Sequence, residues 1–290
     1  MDQLAYVRAS MHPPAPIPAD VPPKLTAMGG IKAVIFDIYG TLLVSAAGGG
    51  DRPDEATSQA MAKVVERLGP PLKAGDGAAL AVAYRAVVRQ HQDSRRAEGV
   101  DFPEIEIREV WETVLGEFVP TRLSSAAIES ASIAFECAVN PVGPMPGARG
   151  AIEALRGTGF LLGVVSNAQF YTPVVIESCL GASFGELGFA SDLMVFSYLE
   201  RRSKPSVALF ECLKSRAAER SVSADEMLYL GNDLEKDMFS AAAAGFRTGL
   251  FAGDQRSLRL GGRSYAEASE KADVVITDLE QLPGILELPS

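Results

Sequence analysis

Cysteine and histidine are scarce in this sequence, which limits the kinds of site that it can form. The 290 residues include three cysteines and two histidines. Cys137, Cys179 and Cys212 form no CxxC pair, so we predict neither a disulfide framework nor a zinc site. His12 and His91 fall in no recognisable motif, and histidine chemistry is therefore not indicated.

Long apolar runs and clusters of basic residues are absent as well. A membrane-spanning helix needs about 18 or more consecutive apolar residues, and no such run occurs. The N-terminus also lacks the basic stretch and apolar core of a signal peptide, so we expect a cytoplasmic protein. The net charge of -10 argues against nucleic acids and anionic membranes as partners, because both need clustered Lys and Arg. No heptad pattern predicts an oligomer, and the oligomeric state stays open.

The length and composition favour a globular protein of about two domains, at about 150 residues per domain. Apolar residues make up 47% of the chain and charged residues 22%, which is ordinary for a folded protein. The first 29 residues contain six prolines and show no hydrophobic periodicity. We therefore expect this proline-rich stretch to form an extended arm outside the core.

Two patterns follow the arm. Helical periodicity predicts four helices, near residues 54–69, 75–98, 105–118 and 123–140. After residue 146, strand-like apolar runs alternate with helices, at 161–165, 193–196, 227–230, 248–251 and 274–276. This alternation is typical of a parallel α/β sheet. Trp111 and Phe102 are expected to fill the core of the helical bundle.

The run 34–36 resembles the later strands although it precedes the helices, so the helices are predicted to be an insertion into one α/β domain. The predicted fold class is α/β, a Rossmann-like parallel sheet with an inserted α-helical bundle that caps its active edge. The predicted units are an N-terminal arm at 1–29, an α/β core at 30–45 and 143–290, and a helical cap at 46–142.

The segment VIFDIYGTLL, residues 34–43, contains the first chemical signal. The apolar run before Asp37 is typical of a strand buried on both faces, and Gly40 with Thr41 indicates a turn directly after it. Ligands of open parallel sheets bind at the carboxyl ends of the strands, so Asp37 is a candidate nucleophile or metal ligand. An aspartate that only accepts hydrogen bonds from the turn amides is the alternative.

Two further polar sites follow strand-like runs. Ser166 and Asn167 come after LLGVV, where the serine hydroxyl could donate to an anionic oxygen, although a turn or helix cap is the alternative. Lys204 precedes Pro205 and a helical stretch. The dipole at the start of a helix disfavours a cation, which suggests another purpose, unless the lysine is simply solvated within the charged run ERRSK.

A pair of carboxylates follows the strand MLYL. Asp233 and Asp237 are four residues apart, so at the start of a helix they would share a face and repel each other unless a cation or the helix dipole compensates. This spacing points to magnesium, while a helix N-terminus that tolerates acids without a metal remains the alternative.

Together, in this order and at these strand ends, the four elements resemble the haloacid dehalogenase superfamily over about residues 31 to 285. The resemblance implies that Asp37 is the nucleophile, that Ser166 and Lys204 are the second and third motif residues, and that Asp233 with Asp237 form the acidic fourth motif. It also implies Mg²⁺ held by Asp37, the main-chain carbonyl of Tyr39 and Asp233 or Asp237. Thr41 and Asn167 are the expected substrate contacts.

Two positions depart from the phosphatase pattern DxDGT and its acidic fourth motif. Tyr39 replaces the second aspartate, the general acid/base of the phosphatases, and a phenol with a pKa of about 10 is a weak base near neutrality. DxYGT resembles the 2-haloacid dehalogenases, which work without magnesium. The fourth motif, GNDxxxD, instead keeps two carboxylates, and Asn232 stands where many phosphatases have an aspartate.

The leading hypothesis is a magnesium-dependent hydrolase that acts on a small phosphorylated metabolite through an aspartyl intermediate on Asp37, with Tyr39, Ser166 and Lys204 as the other catalytic residues. Its expected partner is a small anionic substrate. The first alternative is metal-independent carbon–halogen hydrolysis of a 2-halo acid. The second is a fold that has lost turnover and binds a ligand, an idea that rests on Tyr39.

Overall fold

A computed structural model describes residues 2–46 and 54–288. Its strands, in chain order, are β1 Ala33–Phe36, β2 Leu43–Ser45, β3 Val142–Pro144, β4 Leu161–Ser166, β5 Phe189–Phe196, β6 Met227–Gly231, β7 Arg247–Phe251 and β8 Val274–Ile276. Six of them form one parallel sheet in the order β5-β4-β1-β6-β7-β8, while β2 and β3 pair as a small antiparallel ribbon. The α/β fold class is confirmed.

The helices surround this sheet. They are α1 Gln3–Ser10, α2 Asp54–Leu68, α3 Gly77–Ala97, α4 Ile107–Phe118, α5 Ser125–Val139, α6 Ala148–Gly157, α7 Thr172–Leu180, α8 Phe184–Leu187, α9 Ser197–Glu200, α10 Ala208–Ala218, α11 Ser240–Ala243, α12 Tyr265–Lys271 and α13 Leu282–Ile285. Short 3-10 turns occupy Ala74–Asp76, Ala224–Glu226 and Leu279–Gln281, and a π-helical turn spans Leu234–Phe239.

The central strands are short and buried throughout because helices cover both faces of the sheet. All four residues of β1 and all five of β6 are buried, as expected for the interior of a parallel sheet. The register is regular: Phe36 pairs with Val164 of β4 and with Leu230 of β6. The carboxyl ends of β1, β4 and β6 therefore lie side by side.

Strand boundaries match the prediction closely except at β5 and at the ribbon. β5 begins at Phe189 rather than near 193. The first half of this edge strand contains polar residues, so it does not form the continuous apolar run from which the strand was predicted. β2 and β3 were not predicted, since three residues are too few to show a period.

Helices α2 to α5 lie between β2 and β3 and pack against one another, α2 on α5 and α3, and α4 on α3 and α5. Trp111, Tyr84 and Phe135 form an aromatic cluster among them, with ring centroids 4.8 to 5.5 Å apart. Trp111 thus fills the interior, as predicted. Phe102 does not: its side chain is 50% exposed, because it lies in the loop between α3 and α4 rather than on a helix.

The N-terminal arm is not outside the core. It contains α1, which packs on α7 and α5, and its residues Val7 and Met28 are fully buried. Lys24 pairs with Val275 of the edge strand β8 through two main-chain hydrogen bonds of 2.8 and 3.0 Å. Val7 and Met28 lie on either side of the proline-rich run and are too far apart to give a periodic signal, so their burial was not predicted.

The boundaries predicted for the arm, core and cap stay predictions, and residues 47–53 at the start of the predicted cap lie outside the described residues. Within the described part of the chain, no helix has the length and apolar character needed to cross a bilayer.

Candidate active site

Asp37 lies at the carboxyl edge of the sheet, directly after β1. Its main-chain N–H donates to the carbonyl of Leu230 over 2.8 Å, which continues the pairing with β6 one residue beyond the strand. Its side chain is almost completely buried, with 6% of the residue exposed. The strands at the centre of the sheet therefore hold this carboxylate at the edge where open parallel sheets bind ligands.

Lys204 is the cation that faces Asp37. Its Nζ lies 2.7 Å from Oδ1 of Asp37, 2.6 Å from Oδ1 of Asp237 and 2.9 Å from the hydroxyl of Tyr229. The residue is 4% exposed, so the alternative of a solvated lysine is wrong. Helix α10 begins only at Ala208, and Lys204 is therefore not in its first turn. Two carboxylates offset the cost of burying the ammonium.

Burial and charge act on these groups in opposite directions. Burial raises the pKa of Asp37 above its ordinary value, with Lys204 opposing this effect and Asp237 adding to it. Burial alone would lower the pKa of Lys204, but Asp237 and Asp37 together raise it above its ordinary value. Tyr229 is buried beside both carboxylates, and its pKa is raised well above the usual value, first by burial and then by their charge. Lys204 therefore stays a cation and Tyr229 a neutral hydrogen-bond donor.

The two acids of the fourth motif have different surroundings. Both oxygens of Asp237 are engaged: Oδ1 by Lys204 and Tyr229, and Oδ2 by the main-chain N–H of Asp233 over 2.9 Å. Asp233 precedes the π-helical turn and caps it, since its Oδ1 accepts hydrogen bonds from the N–H groups of Glu235 and Lys236, each at 2.9 Å. The repulsion expected between the two acids is offset at Asp237 by Lys204.

The side chain of Asn232 supports the loop that follows Asp37. Its Nδ2 donates to the carbonyl of Ser257 over 2.6 Å, and its Oδ1 accepts from the hydroxyl of Thr41 over 3.2 Å. Gly40 has a φ of +92°, and a Cβ there would lie 2.6 Å from the Asn232 amide. The glycine thus allows the first and fourth motifs to pack against each other.

Ser166 ends β4, next to Asp37 in the sheet. Its hydroxyl is completely buried and makes no hydrogen bond of normal geometry among the described residues, although it lies near enough to the Asp37 carboxylate to lower the pKa of that group. A buried hydroxyl without a well-formed hydrogen bond is costly, which makes Ser166 a donor that a bound ligand could satisfy.

The other predicted residues lie around this group. The Tyr39 hydroxyl is 3.0 Å from Oγ1 of Thr172, at the start of α7. Asn167 is bonded to the main chain of Lys204: its Oδ1 accepts from the lysine N–H over 2.7 Å, and its Nδ2 donates to the lysine carbonyl over 3.3 Å. The substrate-binding roles predicted for Thr41, which is fully buried, and Asn167 stay predictions.

Two adjoining cavities open from this group. The smaller, about 130 Å³, is lined by Asp37, Tyr39, Asn167, Lys204, Asn232, Asp233, Lys236, Asp237 and Arg259. The larger, about 330 Å³, lies between the inserted helices and the sheet edge, and Tyr39, Asn167 and Lys236 line both. Glu104 also lines the larger cavity, and burial raises the pKa of its carboxyl group while Ser197 opposes the shift. The space suits a small substrate whose reacting end lies against Asp37.

Comparison with known proteins identifies this arrangement. The family model for haloacid dehalogenase-like hydrolases matches residues 31–245, which span the described Asp37, Ser166, Lys204 and Asp237. The chain belongs to this hydrolase family. The superfamily membership expected from the motifs is thereby confirmed, and the protein is an enzyme of the hydrolase class.

Solved structures of this hydrolase family share the fold. A haloacid dehalogenase-type phosphatase from Thermococcus onnurineus superposes with a TM-score of 0.50 at 20% identity, covering 88% of this chain and 97% of the other. A 2-haloacid dehalogenase from Pseudomonas syringae pv. Tomato DC3000 superposes with a TM-score of 0.53 at 20% identity, covering 88% and 97%. No curated protein matches the sequence. At this identity the structures establish the fold alone.

The donors present fit the magnesium ion that phosphatases of this hydrolase family commonly use. Asp37 and Asp233 line the same small cavity, and each has one carboxylate oxygen outside the hydrogen bonds described above. No three Asp, Glu, His or Cys side chains form a complete cage within residues 2–46 and 54–288. Mg²⁺ does not require one, because it usually binds through one or two carboxylates with water and substrate oxygens. Asp237 is the less suitable ligand, since both its oxygens are engaged.

Three residues of the site of this hydrolase were not predicted from the sequence. Tyr229 lies within the apolar strand β6, where a tyrosine is expected to pack in the hydrophobic core. Lys236 is inside the fourth motif but was not assigned a role, and Arg259 comes from a loop after β7 that has no motif. Only for Lys236 was there a signal, as a cation between two motif acids.

Proposed function

We propose that this haloacid dehalogenase-like hydrolase is a magnesium-dependent phosphatase that acts on a small phosphorylated metabolite through an aspartyl-phosphate on Asp37. The observation that supports this best is the separation of the acids: Lys204 is shared between Asp37 and Asp237, while Asp233 lies in the same cavity without an ion pair among the described residues. A divalent cation between Asp37 and Asp233 would allow an anionic substrate to approach both acids.

Asp37, Ser166 and Lys204 have different roles in the proposed reaction. Oδ2 of Asp37, the carboxylate oxygen that is not bonded to Lys204, attacks phosphorus, and the bond from phosphorus to the ester oxygen breaks. Water later hydrolyses the acyl phosphate, which releases phosphate and regenerates the carboxylate. The buried hydroxyl of Ser166 and the ammonium of Lys204 stabilise the negative charge that develops on the phosphoryl oxygens. Mg²⁺, held by Asp37, the Tyr39 carbonyl and Asp233, would neutralise charge on the same oxygens.

The leaving alkoxide also needs a proton, and Tyr39 is the nearest candidate in the first motif. Its phenol can donate a proton but is a weak base near neutrality, which suits the first step better than the second.

Asp37→Asn should abolish phosphate release, while Asp273→Asn, at the amino end of β8 and far from the cavity, should retain it.

Carbon–halogen hydrolysis is the second candidate, favoured by Tyr39 and by two cations. In that reaction Asp37 attacks carbon and halide leaves without a proton, so Tyr39 would need no acid/base role. Lys236 and Arg259 line the small cavity and could attract a carboxylate without a metal.

One experiment separates the two reactions. Phosphate and halide release are measured on panels of phosphate esters and 2-halo acids, with Mg²⁺ and with a chelator. Phosphate release that needs Mg²⁺ supports the proposal. Halide release that persists in the chelator, with no phosphate release, overturns it in favour of the second candidate.

A further inference from the structure

The loop between α3 and α4 contacts the segment that contains Lys204. Pro103 pairs with Arg202 in an antiparallel bridge, the N–H of Ser203 donates to the carbonyl of Phe102 over 2.8 Å, and the N–H of Glu104 donates to the carbonyl of Arg201 over 3.2 Å. We name the two partners the docking loop, residues 101–109, which includes the first three residues of α4, and the lysine segment, residues 197–206, which includes α9. Their main chains are paired like two short strands.

Side chains reinforce this pairing at both ends. Arg201 forms two hydrogen bonds with the carboxylate of Glu109, at 2.6 and 2.8 Å. Asp101 accepts from Arg202 over 3.0 Å and from the hydroxyl of Ser206, which is buried, over 2.7 Å. A bidentate pair between arginine and a carboxylate fixes orientation as well as distance.

A second contact anchors the docking loop to the end of β4. Gln169 donates from its amide nitrogen to the carbonyl of Ile105 over 2.9 Å, and its amide oxygen accepts from the N–H of Ile107 over 3.1 Å. Gln169 is two residues beyond Asn167, which is hydrogen-bonded to the main chain of Lys204. The docking loop therefore contacts both core segments that determine where Lys204 lies.

None of the hydrogen bonds and ion pairs described for Lys204 joins it to the docking loop, but its flanking residues are bonded to that loop. Arg201, Arg202 and Ser203 precede it and Ser206 follows it, and all four bond to the docking loop. From this backbone the side chain of Lys204 extends to Oδ1 of Asp37 at 2.7 Å and to Oδ1 of Asp237 at 2.6 Å. A shift of the segment would move the ammonium relative to Asp37.

We propose that Asp101 and Glu109 are positioning residues for Lys204: by holding Arg202, Ser206 and Arg201, they couple the docking of the inserted helices to the placement of the catalytic ammonium. The assignment rests on the proposed function only for its activity readout. It predicts a change in kcat rather than in KM, because Lys204 stabilises charge that develops during the covalent step. A misplacement of about 1 Å can cost about 10²-fold in rate.

The test combines kinetics with amide hydrogen exchange of the lysine segment. The variants are Glu109→Gln and Asp101→Asn, with Asp93→Asn and Glu112→Gln as matched controls whose exposed ion pairs, to Arg96 and Arg122, lie within the inserted helices. Glu109→Arg combined with Arg201→Glu reverses the pair and provides a rescue.

The expected result is faster exchange of the Ser203 and Glu104 amides and a loss of kcat of about 2- to 5-fold with KM unchanged, because losing a partly exposed ion pair shifts an equilibrium by at most about 5-fold. Both changes should be reversed in the charge-reversal variant. The controls should resemble wild type. Unchanged exchange at Ser203, or a variant whose effect lies entirely in KM, would overturn the proposal. If no phosphatase activity exists, the hydrogen-exchange arm alone decides, so a failure of the proposed function is distinguishable.

Discussion

Lys204 and Asp237 form the shortest ion pair of the buried site, with 2.6 Å between Nζ and Oδ1. Their side chains are 3% and 1% exposed. Both oxygens of Asp237 accept hydrogen bonds, whereas only Oδ1 of Asp233 does so in the bonds described above, so Asp233 is the fourth-motif acid with an oxygen left for another ligand. This relationship explains why two acids four residues apart coexist here, and it leads to the first prediction.

Lys204→Met should destabilise the protein and abolish activity. Asp37 and Asp237 would remain buried without their cation, and breaking a buried pair in this way costs about 3–5 kcal/mol. Urea unfolding and phosphate release measure the two effects. Lys214→Met, which removes an exposed pair to Glu211, should cost less than about 1 kcal/mol. Equal unfolding free energies for the two variants would contradict the buried-pair interpretation.

Ser166→Ala should weaken catalysis without weakening the fold. The hydroxyl of Ser166 makes no hydrogen bond of normal geometry among the described residues, and its interaction with the Asp37 carboxylate is weak, so its removal breaks no well-formed hydrogen bond. Thermal unfolding should show a Tm equal to wild type or higher, while kcat/KM falls. Ser197→Ala is the control. The buried hydroxyl of Ser197 donates to Glu104 over 2.8 Å, so its removal should lower the Tm. A lower Tm in Ser166→Ala than in Ser197→Ala would refute the prediction.

Substitutions of Tyr39 distinguish its chemical roles. Tyr39→Phe removes the hydrogen bond to Thr172 and the only proton of the side chain that can be donated, and we expect phosphatase kcat to fall by about 10- to 100-fold if the phenol is the acid. Halide release should be unaffected. Tyr39→Asp restores the phosphatase pattern, and a sharp rise in phosphate release from near zero would show that the natural protein had lost its acid/base. A robust wild-type rate that falls in Tyr39→Asp would speak against that loss.

The ion pair between Glu109 and Arg201 should depend on pH in the acid range. Hydrogen bonds from Arg201 lower the pKa of Glu109 below its ordinary value of 4.5, burial opposes this shift, and the charges of Arg201, His91 and Arg95 lower the pKa further. An acid with a lowered pKa stabilises the fold above its unfolded pKa, and this contribution is lost as the pH falls through the folded pKa. Because both side chains are partly exposed, its size should be about 0.2–1 kcal/mol.

The measurement compares the free energy of unfolding of wild type and Glu109→Gln between pH 6 and pH 3. The difference should be constant well above pH 4.5 and should decrease progressively as the pH falls from about 4.5 through the lowered pKa of Glu109. A difference that persists at the acid end would mean that the carboxylate charge is not what holds Arg201.

Several features of the fold were predictable because short local sequence patterns determine them. An apolar run, a polar residue and a glycine mark the end of β1 at Asp37, and similar runs mark β4 before Asn167 and β6 before Asn232. Such signals are local, and they named both the parallel sheet and the family. The burial of the arm and the exposure of Phe102 were not predictable in this way, because neither has a periodic neighbourhood.

The sequence by itself determined the order of the strand-end motifs and therefore the hydrolase family and the identity of Asp37, Ser166 and Lys204 as its candidate residues. Only the tertiary structure decided which acids pair with the lysine, that Asn232 accepts a hydrogen bond from Thr41, and that the docking loop lies on the lysine segment. The physical reason is distance along the chain: Lys204 meets Asp37 across 167 residues, and Ser203 bonds to Phe102 across 101. Local patterns encode where a strand ends, but contacts between remote segments depend on how the whole chain packs.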